Sequence, residues 1–175
     1  MRMELTQQSS VSTDEKKKSG SFQIIVFKQG DEEYALTIDQ IKEVVITPNI
    51  TKMPQTPNYI KGVANIRGNI IAILDLEEKF NLKRTNTQAS GNNYTLVIES
   101  EDFKMGILVR EVPNTLSITS SDFDESVNII SDAHSESNYI KGIVKVNAKL
   151  IILIDIFKVI DQEMVSLLKK NAVAA

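Results

Sequence analysis

Few residues in this chain have the chemistry of a catalyst. Histidine occurs once, at His134, and cysteine not at all. A general base must be held beside the proton it takes, and His134 lies in a polar stretch that reads as a solvent-facing loop. Without cysteine there is no thiol nucleophile, disulfide or zinc–cysteine site, and no second histidine exists to share a metal. A carboxylate cage would lack the D-x-D-x-D-G pattern of a calcium loop. G-x-S-x-G, H-E-x-x-H and a glycine-rich phosphate loop are also missing. Asp75 and Asp155 stand at equivalent strand ends and could form an acid–base pair. Helix capping is the simpler reading, because Asp75 is followed three positions on by Glu78. No catalytic residue, metal site or cofactor is expected. What remains is binding chemistry: Arg67, in the run Asn65-Ile66-Arg67-Gly68, offers guanidinium N–H donors in a rigid fork.

The element that presents Arg67 is Tyr59–Leu76, YIKGVANIRGNIIAILDL. It reads as a β-hairpin with arms Val63–Ile66 and Ile70–Leu74 and a turn on Arg67-Gly68, flanked by Asn65 and Asn69. Gly68 suits a tight turn because it takes positive φ without steric cost. The second arm, IIAIL, is apolar on both faces, which predicts a central, doubly buried strand. Arg67 then sits at the tip of a stiff element, pointing away from a dense core.

The stretch occurs twice. Tyr139–Ile156, YIKGIVKVNAKLIILIDI, repeats it 80 residues later with Tyr, Ile, Lys, Gly and the closing Asp identical. A weaker match aligns Val26–Ile41 with Val97–Val112 at a spacing of 71 residues. Two copies at a period too long for a solenoid unit imply two related subdomains.

Composition bounds the rest. The 175 residues are 42% hydrophobic with a mean hydropathy of −0.12, ordinary for a soluble globular protein of one domain or two small subdomains. The longest apolar run, Leu150–Ile154, is far short of the roughly 20 residues that span a bilayer. Met1–Val11 lacks the apolar stretch of a signal peptide. The absence of cysteine fits a reducing cytoplasm. A net charge of −3 and aromatic content of 6%, with a pI near 5.3, argue against nucleic acid as partner.

Along the chain, residues 1–20 read as a disordered polar tail whose Lys16–Lys18 run is solvated. Phe22–Lys28 and Glu33–Ile38 are strands joined by a turn at Gln29–Glu32. Ile38–Val45 fits a strand or a short helical turn. Pro48, Pro54 and Pro57 make Thr47–Asn58 an extended connector at a sheet edge. Lys83–Asn93 is the joint between halves. Tyr94–Glu99 and Phe103–Arg110 form the second opening hairpin, and Ser117–Asn138 is a long acidic connector. Ile156, Ile160, Met164 and Leu167 at helical spacing predict one amphipathic helix over 156–170.

With those elements placed, EEYALTIDQIKEVV followed by KMPQTPNYIKGVANIRGNIIAILDL resembles the CheW-like family of bacterial chemotaxis coupling proteins. The family pattern is Y-A-L/I-x-I-x-x-V-x-E, then P-x-x-P-x-Y-I-x-G-V-x-N-x-R-G, then I-I-P-V-I-D-L, in this order and spacing. The resemblance covers about 21–170. It implies an all-β fold of two five-stranded SH3-like barrels, with short connecting helices and a C-terminal helix. By the repeat, the first barrel is mainly 21–82 and the second mainly 94–155, with strand exchange between them allowed. It further implies a non-catalytic adaptor, cytoplasmic and recruited to receptor arrays at the inner membrane. Such an adaptor joins the cytoplasmic tip of chemoreceptors to the regulatory domain of the chemotaxis histidine kinase. Arg67, with its neighbours Asn65 and Gly68, matches the N-x-R-G site. Ile41 and Glu43 match the V-x-E positions of a receptor-contacting surface, with Val44 beside them. Two departures occur: Ala72 replaces the usual Pro, which favours continuous strand pairing, and Asn147-Ala148 replaces a glycine-bearing turn.

The mechanism implied is bivalent bridging. One barrel meets the kinase's related barrel, a groove between barrels takes the helical receptor tip, and array linkage raises effective concentration. Three rivals remain: a coupling protein of a related motility or other kinase pathway, a small-barrel nucleic-acid binder, and an enzyme using Asp75 and Asp155.

Overall fold

Strand β1 (Ser21–Gln29) carries apolar residues on both faces and buries both. Ile24 and Val26 point into one cluster, while Ile25 and Phe27 point into another. This alternation decides the architecture. The computed structural model describes residues 20–85, 91–126, 139–160, 164–166 and 169. The tail 1–19, with Lys16–Lys18, and residues 127–138, with His134 and most of the acidic connector, lie outside the described residues.

The strands are β1, β2 (Glu32–Thr37), β3 (Ile41–Ile46), β4 (Ile60–Ile66), β5 (Asn69–Leu74), β6 (Tyr94–Glu99), β7 (Lys104–Val109), β8 (Asn114–Thr119), β9 (Phe123–Asp124), β10 (Ile140–Val146) and β11 (Lys149–Ile154). Two single-turn helices, α1 (Leu76–Lys79) and α2 (Ile156–Val159), follow β5 and β11. The strands form two SH3-like barrels. One is a six-stranded sheet in the order β8-β1-β2-β11-β10-β9, the other a five-stranded sheet in the order β3-β6-β7-β5-β4. The sixth strand of the larger sheet is the two-residue β9.

The repeats exchange their opening hairpins. β1–β2 joins the closing strands of the second repeat, through β1 antiparallel to β8 and β2 parallel to β11. β6–β7 joins the closing strands of the first, through β6 antiparallel to β3 and β7 parallel to β5. One sheet takes its strands from 21–37, 114–124 and 140–154, and the other from 41–46, 60–74 and 94–109. The stretch Lys83–Asn93 joins the repeats but not the barrels. The chain crosses between barrels at Ile38–Gln40 and again between β7 and β8.

The exchange produces three cores. Ile24, Val26, Ala35, Val144 and Leu153 fill one barrel. Ala64, Ile71, Ile73, Val97 and Leu108 fill the other. Between them Ile25, Phe27 and Leu36 of one sheet meet Leu96, Ile98, Met105 and Ile107 of the other. Strands that are apolar on both faces line their own barrel with one face and the shared core with the other. Tyr34, Phe80 and Tyr139 stack in this seam, with centroids 6.0 and 4.6 Å apart.

The glycine of each YIKG run has a steric reason. Gly62 and Gly142 sit at register shifts of β4 and β10. A Cβ on Gly62 would lie 2.1 Å from the Thr51 carbonyl oxygen, and one on Gly142 would lie 2.5 Å from that of Asp124. The chain therefore crosses each strand at a distance only glycine permits. Thr51 bridges Val63, so the Pro-rich connector does border the sheet edge.

Several expectations change. Ile38–Val45 is both things: a 3-10 turn at Ile38–Gln40, then β3. Gln29 is not part of the turn. It ends β1, is buried, and donates Nε2 to the Leu108 carbonyl at 3.1 Å. The start of the supposed connector at Ser117 belongs to β8, paired with β1. The single helix over 156–170 is interrupted: Ile160 takes φ −87°, ψ 104°, and turns its side chain into the shared core. Residues 164–166 are helical again, and 161–163, 167–168 and 170 lie outside the described residues. No helix among the described residues is long and apolar enough to cross a membrane.

Candidate functional site

The β4–β5 hairpin closes through Ile66 paired with Asn69, leaving Arg67-Gly68 as a two-residue turn. Both turn residues have positive φ, 50° at Arg67 and 84° at Gly68. That is the type I′ geometry, whose twist matches the flanking strands. Asn65 Oδ1 accepts from the Gly68 N–H at 2.9 Å and braces the turn. Asn65, Arg67 and Gly68 thus form one local unit. Ala72 pairs with Val63 on one side and Met105 on the other, the continuous pairing that a proline there would have broken.

Arg67 reaches across the barrel to β3. Its Nε donates to Glu43 Oε2 at 2.6 Å, with the arginine side chain 73% exposed and the glutamate 24%. A bulge at Lys42, where Ile41 opposes Ile98 but Glu43 opposes Val97, turns Glu43 toward the tip. Lys42, released to the outside, pairs with Glu99, which also accepts from Lys104 at 2.8 Å. Those bonds, from Lys104 first and Lys42 second, hold the Glu99 carboxyl below the usual carboxylate range. A recess of about 230 Å³ opens between Arg67, Glu43, Lys42 and Lys104 over Ile71 and Val97.

The six candidate residues therefore divide. Arg67, Asn65, Gly68 and Glu43 come together. Val44 stands on the solvent side of β3, 40% exposed. Ile41 packs against the shared core instead, because the bulge rotates it away from Glu43.

Two further exposed apolar residues stand on β3 and β5. Ile46, 60% exposed, extends the apolar outer face of β3 beside Val44. Its signal was the alternation Val44-x-Ile46 just before Pro48. Ile70, 49% exposed, lies opposite Asn65. The apolar run IIAIL read as buried throughout, but its first residue sits too close to the turn to be covered. The same turn in the second repeat, Asn147-Ala148, carries positive φ at 50° and 61° and presents neither an arginine nor a glycine.

Asp75 and Asp155 cap their helices. Asp75 Oδ1 accepts from the Glu77 N–H at 2.9 Å, and Asp155 Oδ1 from the Phe157 N–H at 3.1 Å. They close different sheets. Among the described residues no group of His, Cys, Asp or Glu is placed to hold a metal ion. The exposed guanidinium of Arg67 suits recognition of a protein surface.

Comparison with known proteins agrees with this fold. The CheW-like domain family matches residues 23–164. Chemotaxis protein CheW of Helicobacter pylori is 31% identical over 160 residues, covering 91% of this chain and 94% of the relative. Chemotaxis protein CheW of Treponema pallidum is 30% identical over 140 residues, covering 78% and 81%. The crystal structure of scaffolding protein TtCheW from Thermoanaerobacter tengcongensis superposes with a TM-score of 0.69 at 27% identity, covering 83% of this chain and 96% of that one. The chain belongs to the CheW-like domain family.

Proposed function

We propose that this chain works in the cytoplasm as a non-catalytic adaptor of chemotaxis signalling, coupling the cytoplasmic tips of chemoreceptors to the regulatory domain of the chemotaxis histidine kinase at membrane-bound arrays. Family membership supports the coupling role. The observation that carries the site is Arg67 itself, presented on a stiff type I′ tip and braced by Glu43. Arginine is enriched at binding hot spots, and the exposed Val44 and Ile46 on β3 add apolar area to the same barrel. No covalent chemistry is needed: two weak contacts on one rigid body raise each other's effective concentration.

The test is calorimetric titration of wild type and Arg67→Ala against a kinase regulatory domain and a receptor-tip fragment. The wild type binds both, and the variant folds normally but loses one or both by about thirtyfold, near 2 kcal/mol. Unchanged binding in the variant removes Arg67 from the site. Absence of wild-type binding to either partner overturns the adaptor reading.

A further inference from the structure

The exchange of hairpins leaves the barrels joined by two crossovers among the described residues, and the aspartate closing each barrel grips the chain leaving it. Asp155, after β11, accepts Gln40 Nε2 at 3.1 Å where the chain passes from β2 to β3. Asp75, after β5, accepts Arg110 Nη2 at 3.1 Å where it passes from β7 to β8. Helix capping alone needs neither partner.

The two grips differ in strength. Asp155 holds a neutral amide, and Gln40 Oε1 is buried with no hydrogen-bond partner among the described residues. Asp75 holds a guanidinium that also donates Nε to Glu77 Oε2 at 3.0 Å. Glu77 then takes the Gly30 N–H at 2.9 Å and Arg84 Nη2 at 2.6 Å. Gly30 lies in the β1–β2 turn of the other barrel. Asp31, next in that turn, accepts from both the backbone N–H and the hydroxyl of Thr85. One charged network thus ties Arg110, at the root of the crossover, to α1, and Glu77 carries it across the seam to the β1–β2 turn of the opposite barrel.

We propose that Arg110 is a positioning residue: held between Asp75 and Glu77, it fixes the angle between the barrels and so the geometry in which two partners are held together. The proposal rests on the adaptor reading for its consequence, and on the seam network for its cause. An isolated ion pair half in solvent contributes little. A planar fork satisfied by two carboxylates on one element adds direction as well as attraction.

The absence of cysteine makes the test clean. Nitroxides on Lys52→Cys and Ser117→Cys, exposed positions in opposite barrels, report the barrel separation by pulsed dipolar spectroscopy. Arg110→Gln is expected to broaden the distance distribution at least twofold, and Arg110→Lys to narrow it part of the way back. Lys28→Gln, which breaks the 3.8 Å pair with Glu111 on the same crossover, leaves it unchanged. Affinity for the kinase regulatory domain alone and the receptor-tip fragment alone changes less than twofold in Arg110→Gln. Affinity for the receptor fragment once the kinase domain is bound falls at least fivefold. If Arg110→Gln does not fold, Asp75→Asn, which keeps the cap oxygen and removes the carboxylate charge facing Arg110 Nη2, carries the same expectations. An unchanged distribution in the variant overturns the proposal, as does broadening with unchanged ternary affinity. Failure of wild type to bind either partner overturns the adaptor reading and the coupling consequence, while the distance distribution still decides whether Arg110 sets the barrel angle.

Discussion

Arg67 Nε and Glu43 Oε2 meet at 2.6 Å across 24 residues of sequence, one on a hairpin tip and the other on a strand at the far side of the same sheet. The pair is mostly solvated on the arginine side, so its contribution to folding is small, about 0–1 kcal/mol. Its effect is directional. With Nε committed to Glu43, the rest of the exposed guanidinium is left to a partner.

A double-mutant cycle separates the two roles. Arg67→Ala and Glu43→Gln should each change unfolding stability by no more than about 0.5–1 kcal/mol. Arg67→Ala should weaken partner binding by about 2 kcal/mol and Glu43→Gln by less, with the double variant close to Arg67→Ala alone. That non-additivity, read by calorimetry, marks Glu43 as a brace. Fully additive losses mean that Glu43 contacts the partner itself.

The second hairpin tip carries strain that the first avoids at one position. Ala148 has a φ of 61°, where an L side chain costs about 1–2 kcal/mol. Ala148→Gly should stabilise the fold by about 0.5–1 kcal/mol, the relief exceeding the entropy glycine adds to the unfolded chain. Ala64→Gly, in the β4 core, should destabilise it. Denaturant midpoints at constant slope check both, and a stability loss in Ala148→Gly contradicts the strain argument.

Glycine substitutions sort by what a Cβ would meet. Gly62→Ala drives a methyl onto the Thr51 carbonyl and should cost about 3 kcal/mol or more. Gly68→Ala meets nothing within 4 Å and pays only for its positive φ, about 1–2 kcal/mol. Equal losses in thermal denaturation mean that the close crossing at Thr51 relaxes freely.

Local spacing made the hairpins legible. YIKG-x₅-G/A marked both tips, and Asp-x-x-Glu marked the α1 cap. The IIAIL run announced a strand buried on both faces, which holds from Ile71 onward. What they could not announce was which second face each strand would meet, because the pairings of β1 with β8 and β5 with β7 join residues far apart in sequence. The Arg67–Glu43 contact was hidden for a similar reason: it depends on a bulge at Lys42 that no residue type demands. Ile160 shows the converse. Its helical spacing from Ile156 was real, but burial in the shared core is reached with an extended backbone, and packing overrode periodicity.

Acid should open the seam before it opens the barrels. Burial alone would raise the Glu77 carboxyl, but the Gly30 N–H, Arg84 and Arg110 outweigh it and hold the pKa below its usual 4.5. A group with a depressed folded pKa contributes stability above its unfolded value, and that contribution is lost as pH falls through the folded one. Stability should therefore decline on acidification below about pH 4.5, and Glu77→Gln should flatten that limb while lowering stability at neutral pH. At the alkaline end the sign reverses in cause. Tyr34 is pushed up to about 12, by burial first and by Tyr139 and Glu32 after it, so the folded state holds its proton longer than the unfolded one. That stability is complete below the unfolded value near 10 and lost as pH rises toward 12. Phenolate absorbance should show the Tyr34 fraction titrating last, together with unfolding, and Tyr34→Phe should remove the late step. If the acid limb is unchanged in Glu77→Gln while the alkaline one responds to Tyr34→Phe, the seam is held by its stacked rings and not by its charges.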